Sequence, residues 1–184
     1  MMRIITGKAR GVRLATLAGE ATRPTSERAK EAIFSMLHLS VQGARVLDLF
    51  AGSGQMALEA LSRGARECVF IDQRKDAVNL IRENVKLCDL TDNAVVRQGD
   101  SMAYLKSGEK FDIIFLDPPY GSKLLGEALE QITKFDICRE HGIIVAESAV
   151  ETELPPVAPP YSLYREYRYG KIKLSVYHRR GNED

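Results

Sequence analysis

At 184 residues, with 45% apolar and 28% charged side chains, the chain has the make-up of one well-buried globular domain rather than a disordered segment. A formal charge of +1 carries no bulk signal for a polyanion, and no apolar run reaches membrane-spanning length or forms a signal-peptide core, so a cytoplasmic protein without membrane contact is expected. Cys68, Cys88 and Cys138 are scattered, odd in number and away from any CxxC pair or His cluster, which argues against a disulfide framework and against a metal site.

The charge is unevenly spread. Residues 1–30 hold seven basic side chains against two acidic ones, Glu20 and Glu27, and the remainder is net acidic. Met2–Thr6 and Val12–Leu17 flank Gly7-Lys8-Ala9-Arg10-Gly11, a pattern that predicts a short β-hairpin with a basic turn. The hairpin forms an N-terminal extension over residues 1–22, ahead of a core over 23–184 in the same domain. Lys8, Arg10 and Arg13 on such an arm can neutralise phosphates without reading sequence; a plain solvated hairpin fits them equally.

Arg23-Pro24-Thr25-Ser26 follows, and a helix is expected from about Ser26, with Ala29, Ala32, Ile33, Met36 and Leu37 on its apolar face. From Arg45 onward strand and helix alternate. Val46–Phe50 reads as a strand, Gln55–Arg63 as a helix stopped by Gly64, and Cys68–Ile71 as a second strand. The next helix buries Ala77, Val78, Ile81, Val85 and Cys88. Ala94–Val96, Phe111–Leu116 and Gly142–Ala146 read as further strands, with a helix over Lys123–Lys134 between the last two. Four prolines, at 155, 156, 159 and 160, mark a loop, and residues 161–169 and 171–178 read as a closing antiparallel hairpin. Such alternation predicts an α/β fold: a Rossmann-like, mostly parallel sheet with helices on both faces.

Two loops carry the chemistry. Gly52-Ser53-Gly54-Gln55-Met56-Ala57 has the G-x-G-x-x-G/A spacing between a strand and a helix, and Asp72 ends the second strand where an acid grips a ribose diol. That pattern suits a nicotinamide dinucleotide or S-adenosylmethionine, and a tight βα turn can also produce it. Asp48, four residues before Gly52, favours the second cofactor, because a carboxylate suits a cationic amino-acid end and opposes a pyrophosphate. Asp100 in Gln98-Gly99-Asp100 can accept from an adenine amine, or simply close an Asx turn.

The second loop is Asp117-Pro118-Pro119-Tyr120, at the carboxyl end of the strand Phe111–Leu116. The prolines fix φ and remove two donors, so the strand stops and the turn stiffens. A carboxylate and a carbonyl that accept two N–H bonds, beside a stacking ring, suit a planar amine such as a nucleobase NH2. This motif has work to do in amine methylation and none in hydride transfer.

In these motifs, together with Arg23-Pro24-Thr25, Leu58-Glu59-Ala60-Leu61-Ser62-Arg63-Gly64-Ala65 and Tyr169-Gly170-Lys171, the chain resembles over nearly its full length the bacterial 16S ribosomal RNA guanine-N2 methyltransferases, the RsmD family. The resemblance implies a seven-stranded sheet with one antiparallel strand, S-adenosylmethionine as methyl donor, and 16S rRNA in the assembled small subunit as substrate; the sequence does not fix the oligomeric state, and a monomer is the expectation. It implies that Arg23 and Thr25 lie near the cofactor and that Asp48, Gly52 and Gly54 cradle its methionine part, with Phe50, Ala51, Ser53 and Ser101 also binding it. Asp72 would take the ribose, Asp100 the adenine, and Asp117, Pro118, Pro119 and Tyr120 the target base. The family commonly continues the glycine loop with Gly-Leu, where this chain has Gln55-Met56, and often has Glu at the position of Asp72. Adenine-N6 and glutamine-N5 methyltransferases use a related turn, often with Asn first. A dehydrogenase or a non-catalytic RNA-binding module would keep only part of the pattern.

Overall fold

Period-two burial along each central strand sends alternate side chains into two cores, which is what a sheet covered on both faces requires. Val46, Cys68, Phe70, Ile113 and Phe115 enter one core, while Leu47, Val69, Ile71, Ile114 and Leu116 enter the other. The computed structural model describes residues 2–17 and 27–181. Its elements are α1 (Glu27–Met36), α2 (His38–Val41), β1 (Arg45–Asp48), α3 (Gln55–Ser62), β2 (Glu67–Asp72), α4 (Lys75–Leu87), β3 (Ala94–Gln98), α5 (Ser101–Tyr104) and β4 (Phe111–Leu116). They continue with α6 (Leu124–Phe135), β5 (Cys138–Ala149), β6 (Tyr161–Tyr169) and β7 (Ile172–Arg179).

The seven strands lie in the order β3-β2-β1-β4-β5-β7-β6. The neighbours from β3 to β5 pair in parallel, and β7 runs antiparallel to both β5 and β6. Helices α1, α3 and α4 cover one face, and α6 packs on the other. The chain leaves β1 toward β2 and leaves β4 toward β5, so the strand order reverses between β1 and β4. That reversal opens a crevice at their carboxyl ends.

Three expectations need correcting. The fifth strand is longer than Gly142–Ala146. Cys138 pairs with Phe111 at one end, and Glu147–Ala149 pair with Leu174–Ile172 of β7 at the other, where no parallel neighbour follows. The four-residue helices α2 and α5 are too short for a helical period to announce them.

The third concerns the N-terminal hairpin, which forms but is shorter than expected and is packed down on the body. Residues 2–17 do fold back on themselves, through Ile4 N–H to Val12 O at 3.0 Å and Leu14 N–H to Met2 O at 3.0 Å. Only one bridge forms, Arg3 with Arg13, and no ladder develops. The amides of Ile5 and Thr6 donate instead to the Glu59 carboxylate at 2.8 and 3.0 Å, which ties this limb to α3. The segment is therefore a strap lying on the body, with Ile4, Ala9 and Leu14 in the core, rather than an arm projecting from it. Helix α1 begins at Glu27. Arg23, Thr25 and Ser26, the last expected near the helix start, lie outside the described residues.

Candidate active site

The crevice at the β1/β4 reversal is a cavity of about 500 Å³. Carboxylates from four successive strands face it: Asp100 after β3, Asp72 ending β2, Asp48 ending β1 and Asp117 after β4. Parallel strands deliver these side chains to one rim because every carboxyl end points the same way.

Asp48 is 3% exposed. Burial pushes its carboxyl up to about 7, and the neighbouring Asp72 adds to the rise, while the Ala57 N–H bonded to it acts the other way. A cation entering the cavity here would relieve that penalty. Gly52 and Gly54 both hold positive φ, 56° and 79°. At Gly54 a Cβ would also come within 3.1 Å of the Phe70 ring, so this glycine lets α3 lie close on β2. Its close approach is therefore to the protein's own strand.

Asp72 braces the loops around it. One oxygen accepts the Gly52 N–H at 3.0 Å and the other the Arg74 N–H at 2.9 Å, and each keeps a lone pair for a hydroxyl. Asp100 caps α5, accepting the Ala103 N–H at 2.7 Å, and also lines the cavity. The Ser101 hydroxyl donates to Leu49 O at 2.7 Å and the Ser53 hydroxyl lies 3.2 Å from Met2 Sδ; both tie loops together. Phe50 and Ala51 line the cavity as expected.

Asp117, Pro118 and Pro119 line the same cavity. Ser122 closes the turn behind them, its hydroxyl donating to Pro119 O at 2.6 Å. Tyr120 is exposed and is not among the lining residues; its hydroxyl donates to Glu147 Oε1 on β5 at 3.2 Å.

The basic residues are placed differently. Lys8 and Arg10 are exposed, and the Lys8 N–H donates to Ser62 O at the end of α3 away from the glycine loop. That helix separates them from the cavity by roughly 12 Å of rise. Arg13 is also exposed, across the bridge from Arg3, whose guanidinium pairs with Glu27 at 3.2 Å.

Sequence reasoning missed Met2 and Thr16, which line the cavity, along with Gln55, Gln73, Arg74 and Leu124. It also missed Glu147, the partner of Tyr120. Nothing local in a basic N-terminal stretch marks it as a pocket wall. Glu59 and Asn84 did leave a signal, as polar residues inside the mostly apolar buried stripes of α3 and α4.

A parallel sheet with a glycine loop after β1 and an Asp-Pro-Pro-Tyr turn after β4 defines a Rossmann-like methyltransferase. The solved structure of yhhF from Escherichia coli has this fold, with a TM-score of 0.88 at 32% identity, covering 97% of this chain and 98% of that one. Residues 2–178 match the family described as Conserved hypothetical protein 95. YlbH of Bacillus subtilis is 40% identical over 184 residues, covering 98% of this chain and all of that protein. The ribosomal RNA small subunit methyltransferase D of Escherichia coli K12 is 34% identical, covering 97% of this chain and 90% of that protein. The chain belongs to this family, the RsmD-like methyltransferases.

Proposed function

We propose that the protein is an rRNA methyltransferase that uses S-adenosylmethionine to methylate the exocyclic N2 of a guanine in small-subunit rRNA. The observation that carries this reading is that one cavity is shared by the Asp48–glycine-loop wall and the Asp117-Pro118-Pro119 turn. A donor and an acceptor amine would thus meet in one enclosure. The names of the relatives support ribosomal RNA as the substrate, and guanine in the small subunit is the finer inference.

The residues present suit the cofactor. A cavity of about 500 Å³ falls within the ordinary range for small-ligand sites. Asp72 and Asp100 would take the ribose and adenine, and the buried Asp48 beside the glycine loop would favour a cationic amino-acid end. The same Asp48 opposes a pyrophosphate, which disfavours a nicotinamide dinucleotide. When bound, S-adenosylmethionine supplies an electrophilic methyl group on a sulfonium sulfur.

The chain's own work is on the amine. A guanine N2 is a weak nucleophile because its lone pair is delocalised into the ring. Hydrogen bonds from the NH2 to the Asp117 carboxylate and the Pro118 carbonyl orient it and favour a more pyramidal nitrogen. Tyr120, tethered to Glu147, stacks on a base that has left its helical stack. As positive charge develops on nitrogen, Asp117 stabilises it and stands ready to accept the departing proton. Positioning two bound reactants in this way contributes about 7–11 kcal/mol in favourable systems.

The test is Asp117→Ala, assayed with small ribosomal subunits lacking the modification and followed by mass spectrometry of the rRNA nucleosides. Wild-type enzyme should yield N2-methylguanosine, and the variant should lose turnover by roughly a thousandfold while binding S-adenosylhomocysteine normally. Wild-type turnover in the variant would overturn the clamp. N6-methyladenosine as the product would replace guanine by adenine in the reading.

A further inference from the structure

Buried side chains from three helices fasten residues 2–17 to the body. Lys30 of α1, 2% exposed, donates to Arg3 O at 2.7 Å and lies 3.4 Å from the fully buried Glu59 of α3. Ser62 takes the Ala9 N–H at 3.0 Å and donates to Thr6 O at 2.6 Å. Asn84 of α4, with no exposed surface, makes the third attachment. Its Oδ1 accepts the Ala15 N–H at 2.8 Å, and its Nδ2 donates to Ala15 O at 3.1 Å and to Ser53 O at 3.0 Å.

Asn84 therefore holds the returning limb of the strap and the glycine loop with one planar amide. Only a side chain with two donors and an acceptor in a plane can satisfy all three backbone groups at once. Asn84 occupies a position on the buried stripe of α4 with Ile81, Val85 and Cys88, where an unused amide would be costly. The other limb touches the same loop, through Met2 Sδ and the Ser53 hydroxyl. Met2 and Thr16, the latter next to Ala15, line the cavity.

We infer that residues 2–16 form a wall of the cofactor cavity over its glycine-loop end, and that Asn84 is the positioning residue that sets this wall against the loop. The inference rests on the reading of the cavity as an S-adenosylmethionine site and adds to it. Nucleoside contacts fall to Asp72 and Asp100, on the β2 and β3 side. The strap meets Ser53 on the β1 side, beside Asp48. It thus closes on the amino-acid end of the cofactor and leaves the nucleoside end open.

Two variants and two ligands test this. Asn84→Ala removes the amide, and Thr16→Phe places bulk in the glycine-loop end from an exposed position that folding does not depend on. Each is titrated calorimetrically with S-adenosylhomocysteine and with adenosine. Both variants should bind S-adenosylhomocysteine at least about tenfold more weakly, while adenosine stays within about twofold, because only one end of the site is disturbed. The Ala15 amide, protected by Asn84, should also exchange its hydrogen faster in Asn84→Ala. Parallel loss of both ligands, or unchanged S-adenosylhomocysteine affinity in either folded variant, overturns the inference. Should Asn84→Ala fail to fold, Thr16→Phe decides alone. Wild-type protein that bound neither ligand would instead remove the cofactor reading itself.

Discussion

Asp48 should make the protein less stable as pH rises, and replacing it should exchange cofactor affinity for stability. Burial lifts this carboxyl from 3.8 to about 7 in the folded chain. The unfolded chain therefore ionises first, and the stabilisation present below about pH 4 is lost progressively up to about 7, then levels off. A shift of this size is worth about 4 kcal/mol at pH 8, and water entering the cavity halves it to about 2 kcal/mol. An asparagine in place of Asp48 cannot ionise and still offers an oxygen to the Ala57 N–H. Asp48→Asn should then melt about 4–8 °C above wild type at pH 8, with the gap shrinking toward pH 4. Thermal unfolding of both proteins without ligand, from pH 4 to 8, measures this directly. The variant should also bind S-adenosylhomocysteine poorly, and wild-type affinity should rise with pH up to about 7, since the ammonium group of the ligand's amino-acid end prefers ionised Asp48. A melting difference that does not change with pH would refute the reasoning, because a lost packing contact carries no proton.

Two more expectations concern the rim and the strap. Glu147→Ala should free the Tyr120 ring and raise KM for the ribosomal substrate severalfold with cofactor affinity unchanged, whereas Glu147→Gln keeps an acceptor for the hydroxyl and should stay near wild type. Steady-state kinetics at saturating S-adenosylmethionine distinguishes the pair, and equal behaviour of both variants would disconnect Glu147 from substrate binding. Replacing Lys8 and Arg10 by Ala should weaken RNA binding and lower the slope of log K against log salt by about 1–2. Unchanged binding across that salt range would make the basic turn only a surface feature.

The parts of the fold that were legible are those set by local rules. Phe111–Leu116 was readable to the residue because six apolar-patterned positions end at an Asp-Pro-Pro turn that no strand can enter. The glycine loop was readable because Gly52 and Gly54 hold backbone conformations other residues avoid. Strand β5 was under-read because its ends are defined by pairing with Phe111 and with β7, and neither partner leaves a mark in its own sequence. The candidate site divides the same way: Asp48, Asp72, Asp100 and Asp117 follow from strand ends, whereas Met2 and Thr16 reach the cavity only through tertiary docking.

The strap shows why charge misled here. Seven basic residues near the N-terminus suggest an arm whose work is done by its surface, yet, the Arg3–Glu27 pair apart, the hydrogen bonds that place residues 2–17 use the segment's backbone amides and carbonyls rather than its basic side chains. The informative residues are on the partners. Glu59 and Asn84 are fully buried polar side chains within helices that bury mostly apolar ones, and a helix tolerates this cost only where something else supplies the hydrogen bonds. A polar residue in an apolar stripe is thus a statement that another segment docks there, even when that segment cannot be named from sequence. In this protein both residues receive the same segment, which runs from the basic turn at the far end of α3 to the wall of the cofactor cavity.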